Sequence, residues 1–371
     1  MKKVCPEGKI VNPKTGRCIK DKNIKTEKIC PEGKVINPKT GRCIKIKPVN
    51  NTKNIRDPRK MTTNNQAIIN QLKILQEYEK INKNPFKVNA YDKVIDGIEM
   101  YEKDIESAED LKNIKGVGKK IEDKIIEFLT TGKMHAVENA LKDEKYILGK
   151  KLLNIYGIGP AKVEELLEKI QSFDQLRLDE NKALLNEKQK IGLKYYDDLE
   201  KRIPYSEGKK HYKIIEKTIG NHEITFDMVG SYRRKNKDMG DIDILIKDHP
   251  QFNLKEFVNV LTVSGYILET LASGKNKFMG ICRIADDLPA RRIDVLVTDP
   301  KTYHFALLYF TGSYTFNIYM RRIALQKGLS LSEYGFKDTK TNKLIDTSSV
   351  IQSEEDVFKY LDIPYVAPDK R

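Results

Sequence analysis

The chain has 371 residues, 39% of them hydrophobic, and a formal net charge of +15. This length allows two or three domains with cores of their own, and a chain this basic most often binds nucleic acid, although a lysine-rich surface that reflects genome composition would give the same charge. No apolar run approaches the roughly 18–20 residues that cross a bilayer, and the N-terminus lacks the apolar core of a secretory signal, so we expect an intracellular protein without a membrane partner.

The first 45 residues contain an internal duplication with a period of 25 residues. One unit reads CPEGKIVNPKTGRCIK from Cys5, and the other reads CPEGKVINPKTGRCIK from Cys30. The proline and glycine residues between the cysteines predict turns, and each unit is too short to bury a core unaided. The four cysteines, which include Cys18 and Cys43, could close two disulfide loops, share a zinc ion, or stay reduced in an adaptor.

These units resemble the two-cysteine adaptor motif of proteins from large DNA viruses. The resemblance implies a viral origin, a location at viral DNA in the infected host cell or in the virion, and a tethering role toward an unknown protein partner. It implies no catalytic role for the cysteines.

Residues 46–65 are polar, basic and proline-containing, which predicts a flexible linker. From residue 66 to about residue 219, apolar residues recur at helical spacing, as in IINQLKILQEYEKI and KIEDKIIEFL. Beyond residue 219, the segments EITFDMVG, DIDILI, YILETLA and RIDVLVT have the composition of strands. The sequence therefore predicts an α-helical half followed by an α/β half.

Two short glycine-containing segments lie between helical patterns. They read IKGVGKK at 114–120 and IYGIGPAK at 155–162. Their glycines permit positive φ and a close approach by a ligand, and the backbone N–H groups at the start of the next helix can bind a phosphate. One such segment is compatible with an ordinary helix connection, but two in the same context predict helix-hairpin-helix motifs that bind the DNA backbone without reading its sequence. The glycines concerned are Gly116, Gly118, Gly157 and Gly159.

Two aspartates on one predicted strand form the clearest chemical signal. The segment GSYRR at 230–234 precedes GDIDILI at 240–246, and Asp241 and Asp243 project from the same face because they are two residues apart. Adjacent like charges are unfavourable unless a cation neutralises them, and magnesium prefers oxygen ligands. The Gly-Ser turn and Arg234 add donors and a positive charge that suit a triphosphate.

A third carboxylate, Asp294, lies in RRIDVLV at 291–297. Two metal ions held by carboxylates can activate a 3′-hydroxyl and stabilise the leaving pyrophosphate. The alternative is that Asp-x-Asp merely ends a strand at a solvated edge. The upstream Gly-Ser turn and the distant Arg-Arg-x-Asp favour the metal site.

The segments GSYRR, GDIDILI, RRIDVLV and YFTGS, in this order, resemble DNA polymerase beta and its X-family relatives. The resemblance extends from about residue 85 to the C-terminus and includes KIGLKYYDDLEKRIP at 190–204 and GKNKFMGICRI at 274–284. It implies α-helical lyase and helix-hairpin-helix domains, then an α/β nucleotidyltransferase palm and a small α/β nucleotide-selecting domain. The implied boundaries are 66–140 for the lyase-like domain, 141–208 for a thumb-like DNA-binding domain, 209–300 for the palm and 301–371 for the nucleotide-selecting domain.

The resemblance also assigns roles in nucleotide transfer. The metal ligands would be Asp241, Asp243 and Asp294, holding two Mg²⁺ or Mn²⁺ ions, and Arg292 would orient or deprotonate the primer terminus. The triphosphate contacts would be Ser231, Arg234, Arg202 and the backbone of Gly240. Residues that pack on the sugar or read the minor-groove edge of the nascent pair would be Tyr309, Phe310, Gly312, Asn317 and Arg321.

A second activity is implied around the first hairpin. Lys120 and Lys124 share one face of the helix that opens at Gly118, with Lys87 and Tyr91 expected nearby. In the family, the position of Lys124 forms a Schiff base with the sugar phosphate left after base loss. The alternative is a basic face that only binds phosphate. The resemblance further implies that backbone carbonyls hold Na⁺ or K⁺ at the hairpins, from Lys112, Ile114 and Val117 and from Leu153, Ile155 and Ile158.

The function expected from the sequence is template-directed gap filling in base-excision repair by a monomer that binds gapped or nicked DNA and deoxynucleoside triphosphates. End-joining or template-independent polymerases are one alternative, but the loop before the third aspartate strand, residues 285–290, is short. A non-catalytic DNA-end tether is another alternative, and the complete aspartate triad is evidence against it.

Overall fold

The computed structural model describes residues 63–101, 103–220 and 223–371, together with four short strands nearer the N-terminus. The chain divides into two units, residues 1–53 and 54–371. In the first unit, β1 (Lys9–Val11) pairs with β2 (Cys18–Lys20), and β3 (Lys34–Ile36) pairs with β4 (Cys43–Lys45). The pairing of β3 with β4 repeats the register of β1 with β2 after a shift of 25 residues, in agreement with the duplication. The cysteine side chains, and with them the three alternatives for their state, lie outside the described residues.

The first helical domain is built from amphipathic helices around one core. Asn84 caps the second helix by accepting a hydrogen bond from the backbone N–H of Lys87, and Pro85 occupies its first position, where no backbone donor is needed. Gly97 in that helix lies so close to the first hairpin that a Cβ atom would come within 2.6 Å of Ile114. The helices are α1 (Thr63–Ile81), α2 (Pro85–Met100), α3 (Ala108–Lys112), α4 (Lys119–Thr131) and α5 (His135–Ala140).

The start of α1 corrects the predicted linker, which was placed at 46–65. Asn65 is fully buried, accepts a hydrogen bond from the backbone N–H of Ile105 and donates one to the carbonyl of Lys103. These bonds join the first turn of α1 to the loop after α2, so the helix begins at Thr63 and not at residue 66. The remainder of the predicted linker lies outside the described residues.

The second helical domain repeats the arrangement on a smaller scale. Gly192 lies against the second hairpin, where a Cβ atom would come within 2.7 Å of the carbonyl of Tyr156. The helices are α6 (Glu144–Leu153), α7 (Pro160–Lys169), α8 (Phe173–Arg177), α9 (Asp179–Lys182), α10 (Glu187–Lys194) and α11 (Tyr196–Leu199). Among the helices that the structure describes, none combines the length and apolar character needed to cross a membrane.

A five-stranded sheet forms the palm, in the order β6-β8-β11-β10-β9. Strands β8 and β11 run parallel to each other, and the other neighbours are antiparallel. The elements are β5 (Ile203–Pro204), α12 (Tyr205–Ile219), β6 (Phe226–Met228), α13 (Gly230–Arg233), β7 (Asp238–Met239), β8 (Ile242–Lys247), α14 (Leu254–Val263), β9 (Ile267–Ser273), β10 (Lys277–Cys282) and β11 (Arg291–Thr298).

The predicted domain boundary at residue 208 falls inside α12. This helix packs on the palm core through Ile215, so the palm begins before residue 209. The C-terminal domain consists of α15 (Tyr303–Thr311), α16 (Tyr314–Gln326), β12 (Leu329–Ser332), β13 (Gly335–Asp338) and α17 (Glu354–Tyr360). The helical half and the α/β half predicted from the sequence are confirmed.

Candidate active site

The pairing of two palm strands brings two of the predicted metal ligands together. Asp243 on β8 lies directly opposite Asp294 on the parallel strand β11, and Asp241 immediately precedes β8. Burial raises the pKa of Asp243 well above its usual range, and the charges of Asp241 and Asp294 raise it further. Burial also raises the pKa of Asp294. The site therefore concentrates negative charge that is unfavourable without a cation.

The Gly-Ser turn approaches this site closely. Gly230 has a φ of +57°, and a Cβ atom there would come within 2.5 Å of Oδ2 of Asp243. Only glycine tolerates both this conformation and this contact. The turn thereby brings Ser231 beside the carboxylates.

Two arginines flank the site, and each is held by hydrogen bonds to a different part of the chain. Arg234 donates to Oγ of Ser231 at 3.0 Å and to the carbonyl of Thr311 at 2.5 Å, which joins the Gly-Ser turn to the end of α15. Arg202 donates to Oδ1 of Asp238 at 2.7 Å, and a Cβ atom at Gly240 would lie 3.0 Å from its Nη1 atom. The structure therefore places both predicted triphosphate arginines at the edges of the carboxylate site.

Arg292 contacts the carboxylates directly. Its Nη2 atom donates to Oδ2 of Asp241, and its Nε atom lies 3.9 Å from Oδ1 of Asp294. The Arg292 Nε and Asp294 Oδ1 atoms are buried and have no hydrogen-bond partner among the described residues. Within those residues, no three His, Cys, Asp or Glu side chains converge as a complete set of metal ligands. One of the three predicted ligands, Asp241, accepts a hydrogen bond from Arg292 in this structure.

The donors present nevertheless fit magnesium. All are carboxylate oxygens, one of them is buried without a partner, and magnesium needs only one or two carboxylates beside water and phosphate oxygens. Asp243 and Asp294 also line a cavity of about 60 Å³ together with Lys277 and Phe310. Sequence reasoning missed Lys277, although it lies in GKNKFMG, because a lone lysine in a strand carries no signal of its own.

The predicted nucleotide-selecting residues form one group at the end of α15. Asn317 donates to the carbonyl of Tyr309 at 2.7 Å, and the guanidinium carbon of Arg321 lies 5.2 Å from the centre of the Tyr309 ring. Phe310 faces the other way, toward the carboxylate cavity. Gly312 has a φ of +69° and lies against Arg234, where a Cβ atom would come within 3.2 Å of Nη1.

The two hairpins use their glycines in two ways. Gly116 and Gly157 have φ values of +96° and +82°, so each turns the chain in the left-handed region as predicted. Gly118 and Gly159 are extended residues that precede α4 and α7, and a Cβ atom at either would meet nothing within 4 Å. The second glycine of each pair therefore leaves an open helix N-terminus, the feature expected of a phosphate site.

The carbonyls predicted to hold a monovalent cation are partly engaged within the hairpins. The carbonyl of Ile114 accepts from the N–H of Val117 at 3.4 Å, and that of Ile155 accepts from the N–H of Ile158 at 3.0 Å. Each carbonyl oxygen has a second lone pair, so these bonds leave room for a cation. The cation-binding roles of all six carbonyls stay predictions.

A cavity of about 650 Å³ opens beside the first hairpin, and we call it the lysine cavity. Burial and the Glu79 carboxylate raise the pKa of Tyr91, which lines this cavity, to about 12. Lys124 donates to the carbonyl of Lys120 at 3.2 Å. The cavity brings together the residues predicted to bind DNA or the sugar phosphate around this hairpin, namely Lys87, Tyr91, Gly116, Gly118, Lys120 and Lys124.

Glu79 is a further cavity residue that sequence reasoning missed. It is only 8% exposed, and its Oε1 atom lies 2.8 Å from Nζ of Lys87. A signal was present, because Glu79 continues the buried stripe of Ile68, Leu72 and Leu75 along α1. A carboxylate on the apolar face of an amphipathic helix indicates a buried ionic contact.

Four family models match consecutive parts of the chain. They are a helix-hairpin-helix domain at 63–134, the fingers domain of DNA polymerase lambda at 150–200, the DNA polymerase beta palm at 202–300 and the DNA polymerase beta thumb at 306–371. The thumb model therefore covers the C-terminal domain, and the domain predicted to be thumb-like at 141–208 matches the fingers model over 150–200.

Similar proteins are known from plants, animals and fungi. The chain is 31% identical to DNA polymerase lambda of Arabidopsis thaliana over 76% of this chain and 57% of that protein. It is 29% identical to DNA polymerase lambda of Rattus norvegicus, over 84% of this chain and 57% of that protein. It is 26% identical to the DNA polymerase type-X family protein pol4 of Schizosaccharomyces pombe, over 83% of this chain and 64% of that protein.

The chain thus spans a little over half the length of the two lambda polymerases. The four models follow one another in the order of the domains seen in the structure, and they account for nearly all of residues 63–371. Together with the three relatives, they show that this chain belongs to the X family of DNA polymerases.

Proposed function

We propose that this chain is a DNA-directed DNA polymerase that adds deoxynucleotides to a DNA 3′-hydroxyl by two-metal phosphoryl transfer. The observation that carries the proposal is the pairing of Asp243 with Asp294 on parallel strands, with Asp241 beside them and the Gly-Ser turn against them. An open acidic site next to phosphate-binding donors suits a nucleoside triphosphate with divalent cations.

Asp241, Asp243 and Asp294 would hold the cations, which supply the charge that activates the 3′-hydroxyl and stabilises the leaving pyrophosphate. Magnesium is the proposed ion, with manganese as a substitute. Cation binding would require Asp241 to exchange its contact with Arg292 for a contact with metal. Because a guanidinium stays protonated, we assign Arg292 the orientation of the primer terminus and not its deprotonation.

The remaining palm and C-terminal residues would bind the nucleotide. Ser231, Arg234 and Arg202 would contact the triphosphate, together with the backbone of Gly240, because they border the carboxylates from two sides. Tyr309 and Phe310 would crowd the 2′ position of the sugar, and Asn317 and Arg321 would face the minor-groove edge of the nascent pair.

We further propose a 5′-deoxyribose phosphate lyase in the lysine cavity. The amine of Lys124 would attack the aldehyde of the sugar to form a Schiff base with loss of water, and β-elimination would then break the bond between C3′ and the phosphate oxygen of the DNA. Hydrolysis of the Schiff base would release the sugar phosphate and restore the lysine amine. Lys87 and Lys120 line the same cavity and would bind the phosphate. The combination of this cavity with the palm supports gap filling in base-excision repair over an end-joining role.

The N-terminal hairpins would act as a tether. Two hairpins with the same register present one backbone arrangement twice, which suits a repeated or bivalent contact with a protein partner. An intracellular site at viral DNA is part of this proposal.

A gap-filling assay tests the proposed function. A primer–template with a gap of one nucleotide, with and without a 5′-phosphate on the downstream strand, is incubated with each deoxynucleotide and Mg²⁺ or Mn²⁺. We expect addition of the nucleotide complementary to the template, with more product when the 5′-phosphate is present. Addition irrespective of the template would favour a template-independent polymerase, and DNA binding without addition would favour the tether.

A further inference from the structure

Arg291 is a buried arginine on the opposite face of β11 from Arg292 and Asp294, because side chains alternate along a strand. Its side chain is 4% exposed. The Nε and Nη2 atoms donate to the two carboxylate oxygens of Glu207 at 2.7 Å and 2.9 Å, and Nη1 donates to the carbonyl of Lys201 at 2.7 Å. The Arg291 guanidinium therefore forms hydrogen bonds with both ends of the segment 201–207.

This segment carries Arg202, the arginine beside Gly240. Strand β5 pairs with β7, with Ile203 opposite Met239 and Pro204 opposite Asp238. The Arg202 side chain itself bonds Asp238 at 2.7 Å. Segment 201–207 is therefore tied on one side to the residues that lead into the metal site and on the other side to Arg291.

Glu207 has a second titratable neighbour, His211, which cannot replace Arg291 as its cationic partner. His211 lies behind it, with Nε2 at 3.6 Å from Oε1 of Glu207 and Nδ1 at 2.6 Å from the hydroxyl of Tyr266. Burial lowers the pKa of His211 to about 4, so the ring is neutral near neutral pH and cannot replace the charge of Arg291. Glu207 depends on Arg291 for a cationic partner in this network.

We propose that Arg291 is a positioning residue, which fixes the segment 201–207 through Glu207 and the Lys201 carbonyl and so sets the position of Arg202 at the incoming triphosphate. The inference rests on the proposed polymerase function. A lysine at this position cannot make the same contacts. The planar guanidinium of arginine donates hydrogen bonds to the carboxylate and the carbonyl at once, whereas an ammonium is a compact point charge.

The test is a double-mutant cycle on nucleotide insertion. Arg202→Ala, Arg291→Lys and the double variant are compared with the wild type for KM of the complementary deoxynucleotide, kcat and thermal unfolding. The matched control is Arg283→Lys, since Arg283 follows β10 and lies 3.7 Å from Asp198, and within the described part of the chain it forms no hydrogen bond or ion pair with segment 201–207.

We expect Arg291→Lys to raise KM about tenfold, as expected for loss of a charge-assisted contact, while kcat changes less than about twofold. In the Arg202→Ala background the same change should have little further effect on KM, because the two residues act as one unit. Arg283→Lys should leave KM unchanged.

Two results would overturn the inference. One is that the KM effects of Arg202→Ala and Arg291→Lys multiply, and the other is that Arg291→Lys lowers the unfolding temperature without a change in KM. If Arg291→Lys does not fold, Glu207→Gln replaces it in the same cycle, because this change weakens the same Arg291–Glu207 contact by removing the negative charge. Absence of insertion by the wild type would instead contradict the proposed function.

Discussion

The acidic site of the palm and the lysine cavity of the first helical domain are built on the same plan with opposite charge. In the acidic site, Asp241, Asp243 and Asp294 lie together and Arg292 pairs with one of them. In the lysine cavity, the lysines lie together and Glu79 pairs with Lys87.

Both sites show how a protein can stabilise a cluster of like charges in the absence of a ligand. Each cluster contains a residue of opposite charge, Arg292 or Glu79, that pairs with one of its members in the free protein. Under the proposed function, the ligand would then take over that role, a cation in the palm and a phosphate in the cavity. The two sites differ in depth, since Asp243 and Asp294 lie in a sheet, whereas Lys87 is more than half exposed. We therefore expect substitutions to have larger effects in the palm.

Removal of a palm carboxylate should have the largest effect. Asp294→Ala should lower nucleotide addition by about a thousandfold or more, because a metal ligand for the chemical step is lost. DNA binding, measured by fluorescence anisotropy, should stay near the wild-type value, since we expect the helix-hairpin-helix segments to bind the duplex. The matched control is Asp286→Ala in the exposed loop before β11. Near-normal extension by Asp294→Ala would refute the assignment of Asp294.

The lysine cavity should show the same dependence on one residue in a different assay. Borohydride should trap the wild type on DNA with an incised abasic site, and Lys124→Ala should reduce the trapped species at least about tenfold because the nucleophile is lost. Extension of an ordinary primer should change little. Lys133→Ala, an exposed lysine outside the cavity, is the control. Equal trapping by Lys124→Ala and wild type would reduce the cavity to a phosphate anchor.

Sugar selection should depend on the aromatic pair at the end of α15. Replacing Tyr309 and Phe310 by alanine should lower the preference for deoxynucleotides over ribonucleotides by about tenfold, because space opens at the 2′ position. The preference is the ratio of kcat/KM values for the two sugars. Tyr334→Ala is the control, since Tyr334 is an exposed aromatic residue in the same domain. A wild type that uses both sugars equally would show that this pair does not select the sugar.

The charge of the acidic site should also appear in stability. Because the pKa of Asp243 is raised in the folded protein, the folded state binds more protons than the unfolded state, so its stability falls as pH rises above the ordinary carboxyl value of 3.8. Without divalent cations, Asp243→Asn should therefore be more stable than the wild type near neutral pH, on the order of 2 kcal/mol. The difference should shrink toward pH 4, and urea unfolding measures it. A wild type that is more stable than Asp243→Asn near neutral pH would contradict this account.

The smallest effect is expected for the counter-charge of the cavity. Glu79→Gln should strengthen binding of gapped DNA with a 5′-phosphate by about two- to fivefold, because Lys87 no longer shares its charge with a carboxylate. The gain should disappear on DNA without the 5′-phosphate. Weaker binding would mean that Glu79 holds Lys87 in place for the phosphate and does not compete with it.

Local patterns in the sequence predicted much of this arrangement. Glycine pairs before helices depend on nearby residues and are present as predicted. Asp-x-Asp was predicted to lie on one strand, but β8 begins at Ile242, so Asp243 lies on the strand and Asp241 precedes it. The structure was needed where the outcome depends on distant parts of the chain. The parallel pairing of β8 with β11, the contact of Arg292 with Asp241 and the contact of Asn65 with Ile105 each join residues far apart in sequence. The boundary inside α12 was missed because helix periodicity does not reveal which core a helix packs on.

The most direct test of the central claim is the number of divalent ions that the aspartates hold. Mn²⁺ is titrated into the full chain, bound to gapped DNA with a primer that lacks a 3′-hydroxyl and a complementary deoxynucleoside triphosphate, and free Mn²⁺ is measured by electron paramagnetic resonance. We predict two more bound Mn²⁺ ions in the wild type than in the variant with Asp241→Ala and Asp243→Ala, in agreement with a two-metal site. Equal Mn²⁺ binding by the wild type and this variant would contradict the account.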